Sequence, residues 1–151
     1  VGISSFVCVL AWATLWYPKI VFTETVVDVR NVISRHIIEW GAVKRIDTKW
    51  GLTFVLDGKS ISAWAAPAPG RHAAFTATRD RGNHLPETTY LAGTVRPGDL
   101  VTTDSGGAAA LARRIWEKRD RDGGATATRV NRLVIVLLGI SGVFAALAVL
   151  I

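Results

Sequence analysis

The last nineteen residues, Leu133 to Ile151, contain no charged side chain and a single hydroxyl, Ser141. As a helix this segment would extend roughly 28 Å, close to the ~30 Å hydrocarbon layer of a bilayer. It is apolar on every side, so it leaves no face for water and does not read as a surface helix. A chain of 151 residues offers little other protein in which to bury it. Residues 133–151 are therefore expected to form a transmembrane helix.

The charges are distributed to match. All 18 Lys and Arg and all 12 Asp and Glu lie between Lys19 and Arg132. Residues 1–18 are uncharged as well, and they place Trp12, Trp16 and Tyr17 just before Lys19. Indole and phenol rings favour the headgroup layer, where the ring is buried and its polar atom stays wet. This first segment is slightly short for a full span. It is expected to be a membrane helix, alone or as the second half of a hydrophobic hairpin. A cleaved signal peptide would show a basic start and a small-x-small cleavage site, and neither is visible.

Arg113, Arg114, Lys118, Arg119, Arg121, Arg129 and Arg132 crowd the approach to the C-terminal span. Positive residues are retained on the cytoplasmic side during insertion. The expected topology is a multi-pass protein of the inner (plasma) membrane, with its water-facing domain in the cytoplasm. The lone cysteine, Cys8, excludes an intrachain disulfide framework and agrees with a reducing compartment.

From Ile20 the period changes. Val21 to Arg30 alternates and is rich in β-branched residues, which predicts one strand. Asn31 marks a turn, and Val32 to Trp40 predicts a second strand, broken by Gly41. Val43 to Trp50 and Gly51 to Leu56 follow, and Asp57-Gly58 predicts a type I′ hairpin turn into Lys59 to Ala65. The stretch from 67 to 104 is rich in Thr, Gly, Pro and Arg. It is expected to wrap the domain or touch a partner, with disorder as the alternative. Asp104-Ser105 are N-cap candidates for a helix. Its expected apolar stripe is Ala108, Leu111, Ala112, Ile115 and Trp116.

The run Arg30-Asn31-Val32-Ile33-Ser34-Arg35-His36-Ile37-Ile38-Glu39-Trp40, then Val43-Lys44-Arg45-Ile46-Asp47 and Trp50-Gly51-Leu52, resembles one group of actinobacterial membrane proteins. These carry a bacterial pleckstrin-homology (PH) domain, of the type named after low molecular weight protein antigen 6. Ala63-Trp64-Ala65, Arg96-Pro97-Gly98-Asp99 and Asp104-Ser105-Gly106 fit the same pattern. The resemblance implies a PH-like fold, a split β-barrel or bent sheet closed by a C-terminal helix. The expected whole is a membrane-anchored α+β protein. A membrane helix occupies 1–18, a cytoplasmic PH-like domain 20–121, a linker 122–132 and a transmembrane helix 133–151. The C-terminal span departs from the pattern of the family.

Candidates for chemistry are few. His36, His72 and His84 lack metal-ligand spacing, Ser60, Ser62 and Ser105 lack a nucleophile elbow, and Gly106-Gly107 has no following Lys-Ser/Thr. No catalytic residue, metal, cofactor or small-molecule substrate is expected. The net charge of +6 points instead to a binding surface, and Lys44, Arg45, Lys49, Trp50 and Lys59 are the candidate contacts for a partner or lipid. Nucleic acid is disfavoured, because basic residues alternate with acids and no reader motif occurs. Trp40, Trp50 and Trp64 are expected to fill the barrel or its mouth, with an exposed binding role for Trp50 as the alternative, and Trp116 is expected to dock the helix. In the C-terminal span Gly139, Gly142 and Ala146 share a face suited to helix packing, as do Ser141, Ala145 and Ala148.

The expected function is a non-catalytic accessory or scaffold subunit of a larger inner-membrane assembly. Its partners would be integral membrane subunits and bilayer lipids. A respiratory supercomplex is one such host, although no residue specifies quinone, haem or copper chemistry. The alternative is an independent domain that senses anionic lipid headgroups.

Overall fold

A computed structural model describes residues 1–68, 103–119 and 123–150. The expectations for the 67–104 stretch, and for His72 and His84, fall almost wholly outside the described residues.

The fold is α+β, with two antiparallel sheets. Strands β1 (Lys19–Phe22), β2 (Val26–Arg30), β3 (Ser34–Glu39) and β7 (Thr126–Val130) form one sheet in the order β1-β2-β3-β7. Strands β4 (Arg45–Asp47), β5 (Gly51–Leu56) and β6 (Lys59–Pro67) form the other. Among the described residues there are also three α-helices: α1 (Gly2–Ala11), α2 (Asp104–Trp116) and α3 (Arg132–Leu150).

The single strand expected over 21–30 is in fact a hairpin. Thr23 makes the turn with its own side chain: its hydroxyl accepts from the Val26 amide at 3.0 Å and donates to the Val26 carbonyl at 2.7 Å. Neither Gly, Pro nor Asn is present to announce it, so a hydroxyl turn passed as strand. The expected β5–β6 hairpin forms, with Leu56 paired to Lys59. Its turn is not type I′, which needs positive φ at both central residues; only Gly58 has it, at +69°. Trp40 leaves the strand for a 3₁₀ turn, Trp40–Ala42.

Trp40 centres the core. It is 2% exposed, stacks on Phe22 at 6.1 Å and meets Phe54 edge-on at 6.3 Å. Its indole N–H donates to the Thr23 carbonyl at 2.9 Å, so the one polar atom of the ring is satisfied inside an apolar cluster. Val27, Val29, Ile38, Leu52 and Phe54 are completely buried around it. Helix α2 closes the second sheet. The Trp116 N–H donates to the Val43 carbonyl at 3.0 Å, docking the helix as expected. Its cap is Thr103, whose hydroxyl accepts from the Gly106 amide at 3.1 Å, one residue before the expected pair. Of the expected stripe, Ala112 is buried and Ala108, Ile115 and Trp116 pack against the core, while Leu111 faces outward; Ser105, Gly106 and Ala109 are buried as well.

The 122–132 linker is also corrected. Thr126–Val130 is strand β7, paired along its whole length with β3. Its residues are all exposed, so no apolar face marked it in the sequence.

Helix α3 is long and apolar enough to cross a membrane by length and composition. Only 11% of that segment is buried, so most of its apolar surface is left uncovered by the described residues. Helix α1 continues through a π-helical turn, Trp12–Trp16, and the resulting apolar run is shorter than a span. Of the two spans expected at the ends, one meets the length requirement.

Two outcomes check this account. Trp40→Ala should destabilise the domain by about 3–5 kcal/mol, as large-to-small core changes do. Thr103→Ala should cost about 1 kcal/mol by removing the helix cap. Both are measured by denaturant unfolding of the full chain in detergent.

Candidate functional site

The densest set of polar contacts lies where the sheet meets the helices. Helices α1 and α3 run antiparallel: Gly2 lies against Phe144 and Ala148, Phe6 against Gly142, and Ala13 packs with Val134. A Cβ on Gly2 would fall 2.7 Å from the Phe144 carbonyl oxygen and 2.9 Å from the Ala148 Cβ, so only glycine permits this approach. At the base of the pair the β2–β3 turn inserts Val32, 8% exposed, beside Ala13 and Val134. Asn131 locks the turn. Its side-chain amide donates to the Asn31 carbonyl at 2.6 Å, and its backbone amide donates to the Ile33 carbonyl at 2.8 Å. Asn31 in turn holds β6, donating to the Ser62 carbonyl at 2.8 Å and accepting from the Trp64 amide at 3.0 Å.

Directly above this turn sits Asp28, 8% exposed on the outer face of the sheet. Arg35 grips both its oxygens, Nε to Oδ1 at 2.9 Å and Nη2 to Oδ2 at 2.8 Å. Arg30 adds Nε and Nη2 to Oδ2, each at 3.1 Å. Burial pushes the Asp28 carboxyl up, but the Arg35 and Arg30 hydrogen bonds and charges outweigh it and hold it below the usual carboxylate value.

The opposite face carries His36, 8% exposed. Its Nε2 meets the Ser34 hydroxyl at 2.9 Å and its Nδ1 the Thr128 hydroxyl at 3.0 Å. Hydroxyls can donate or accept, so the neutral ring is satisfied in either tautomer. Burial first, and then the charge of Lys59, pushes the imidazole below its ordinary value.

The residues expected to form a partner or lipid contact do not converge. Lys44 pairs with Asp57 at 3.5 Å, and Lys59 donates to Thr128 at 3.2 Å, both near the β5–β6 turn. Arg45 lies 3.8 Å from Asp47. Lys49 and Trp50 sit at the other end of β5, roughly 20 Å away along the strand. There the Asp47 carboxylate accepts from the Thr48 and Lys49 amides, shaping a turn that leaves Trp50 82% exposed with the Lys49 ammonium 5.6 Å from its ring centre. Trp64 is 60% exposed. Trp50 and Trp64 therefore do not fill the barrel; Trp40 alone of the three does.

In α3, Gly142 meets α1, but a Cβ on Gly139 would touch nothing among the described residues and Ala146 is exposed. The face that packs on α1 runs through Val134, Leu138, Ser141 and Ala148. That face takes Ser141 and Ala148 from the second expected set and Gly142 from the first. Near the far end of the sheet a groove of about 470 Å³ runs between Phe22, Glu24, Ile115 and Arg119.

Reading the residues singly could not reveal the Asp28 cluster. The usable signal was the turn at Asn31, since a hairpin closing there brings Arg30 opposite Arg35. Comparison of the chain with protein-family models, with curated proteins and with solved structures finds no match.

A pH dependence follows. His36 has a folded-state value below its unfolded value of about 6.5, so its neutral form stabilises the fold fully above that pH. That stability is lost as pH falls from there through the folded value. Asp28 adds a second acid loss below about pH 3.9, because its folded value is depressed. Unfolding midpoints should fall from about pH 7 downward, and in a series carried on below about pH 3 His36→Gln should flatten the first fall while leaving the more acidic one.

Proposed function

We propose that this chain is a non-catalytic, membrane-tethered docking subunit of a larger membrane assembly. Its domain is PH-like and faces the cytoplasm. The reading is carried by Trp50: a large aromatic ring held 82% exposed by a built turn, outside a core that is complete without it. An exposed Trp with a cation over its face is the residue type that anchors protein interfaces. The PH-like reading is supported by two antiparallel sheets with a helix across one of them. The four-stranded sheet takes its last strand, β7, from after that helix.

The helix pair supports tethering. We read α1 with its π turn as a second, shorter membrane element beside α3. Leu15 and Trp16 are each 83% exposed there, and the interface-favouring rings of Trp12 and Tyr17 lie 5.3 Å apart. Gly139 and Ala146 remain open for another membrane helix.

Gentle detergent extraction followed by native mass spectrometry should show the chain in a stoichiometric complex. Trp50→Ala should lower recovery of that partner at least about tenfold, the loss expected of an interface anchor, while the unfolding midpoint stays unchanged. Redox subunits in the complex would make the host a respiratory supercomplex. A lone monomer, or a complex indifferent to Trp50→Ala, would sink the docking reading.

A further inference from the structure

The register of the four-stranded sheet places one basic residue on every strand in a single cross-strand row. Lys19 pairs with Arg30, Arg30 with Arg35, and Arg35 with Arg129. Directly paired residues point to the same face, and strands lie about 4.8 Å apart, so the row spans roughly 14 Å. Like charges directly opposite one another are unfavourable. Asp28 compensates Arg30 and Arg35 only. Four positive groups against one negative leave an excess of three. Among the described residues no ion pair is found for Lys19 or Arg129, and both are exposed.

The height of the row is set by the chain. Lys19 follows Tyr17 and Pro18 at the end of the π turn, and Arg129 precedes Arg132 at the start of α3. Arg30 and Arg35 flank the turn whose Val32 is wedged between Ala13 and Val134. Ile33, at the tip of that turn, and Leu133, at the start of α3, are each 63% exposed apolar residues on the membrane side of the row. The row is thus the first layer of the domain above the apolar helices, at the end of the sheet opposite the Thr23 turn. Asp28 takes two N–H groups from each guanidinium, which leaves the others unclaimed by it and lays both side chains along the face.

We propose that this face binds the phosphate headgroups of anionic phospholipids in the adjoining leaflet. Lys19, Arg30, Arg35 and Arg129 are the phosphate contacts, and Asp28 is the residue that orients the two arginines. Charges that served topology alone would need only to lie near the span; they would need neither a common register nor an orienting carboxylate. The inference rests on the membrane-tethered reading, and its site is independent of Trp50.

The test uses the full chain in mild detergent, titrated with phosphatidylglycerol and separately with phosphatidylcholine, with retained lipid counted by native mass spectrometry. The wild type should retain phosphatidylglycerol preferentially, and added salt should weaken the preference. Lys19→Gln and Arg129→Gln, which leave the Asp28 pairs intact, should each reduce it about fivefold. Their unfolding midpoints should match the wild type. Equal retention of the two lipids, or a preference that survives the double variant, overturns the proposal. So does full displacement of phosphatidylglycerol by millimolar inorganic phosphate, which would mark a site for soluble anion. Loss of a co-purifying protein from the double variant, with lipid retention unchanged, would assign the row to a protein contact and overturn it too. Release of the wild-type chain from membranes by alkaline carbonate would show instead that the tethering itself is wrong.

Discussion

The joint between the β2–β3 turn and the helix pair is the constraint on which the rest of the molecule depends. Val32 fills the space between Ala13 and Val134, and Asn131 ties the turn's backbone to the first residues of α3. A buried apolar contact alone would allow the domain to pivot. The two asparagines remove that freedom, because each satisfies backbone groups of a different element. One fixed turn therefore sets the rotation of α3, the position of β6 across the sheet and the height of the domain.

Further out, the domain is organised around Trp40. Its ring joins both sheets and its N–H reaches the β1–β2 turn, so the core and the first hairpin are tied through one side chain. The second sheet and α2 then cover what the first sheet leaves open. Strand β7 contributes no side chain to the buried core. It is held by its ladder to β3 and by the Glu39 carboxylate, which accepts from the Ala125 amide at 2.9 Å. Its role is connection, since it carries the chain from the domain into α3.

Two surfaces stand apart by chemistry and place. Trp50 and Lys49 occupy a turn at one end of β5, while the basic row faces out from the other sheet beside the helices. The two surfaces lie on different sheets and share no residue. The Asp28 carboxylate keeps the row compatible with folding, since without it Arg30 and Arg35 would repel at close range.

Composition and period alone determined that α3 is a membrane-length apolar helix, that most strands lie where they do, and that Trp116 docks α2. The first two are local and depend on residues close together along the chain, and the last follows from an apolar stripe on a single helix although its contact, Val43, is distant in sequence. The turn at Thr23 escaped notice because a hydroxyl made it, and β7 because both its faces are exposed. Tertiary structure alone decided which tryptophan is core, which face of α3 meets α1, and that Lys19, Arg30, Arg35 and Arg129 share a row. Each of these is a matter of register or rotation. A shift of one residue in a strand, or a partial turn of a helix, changes every neighbour while leaving the sequence pattern intact.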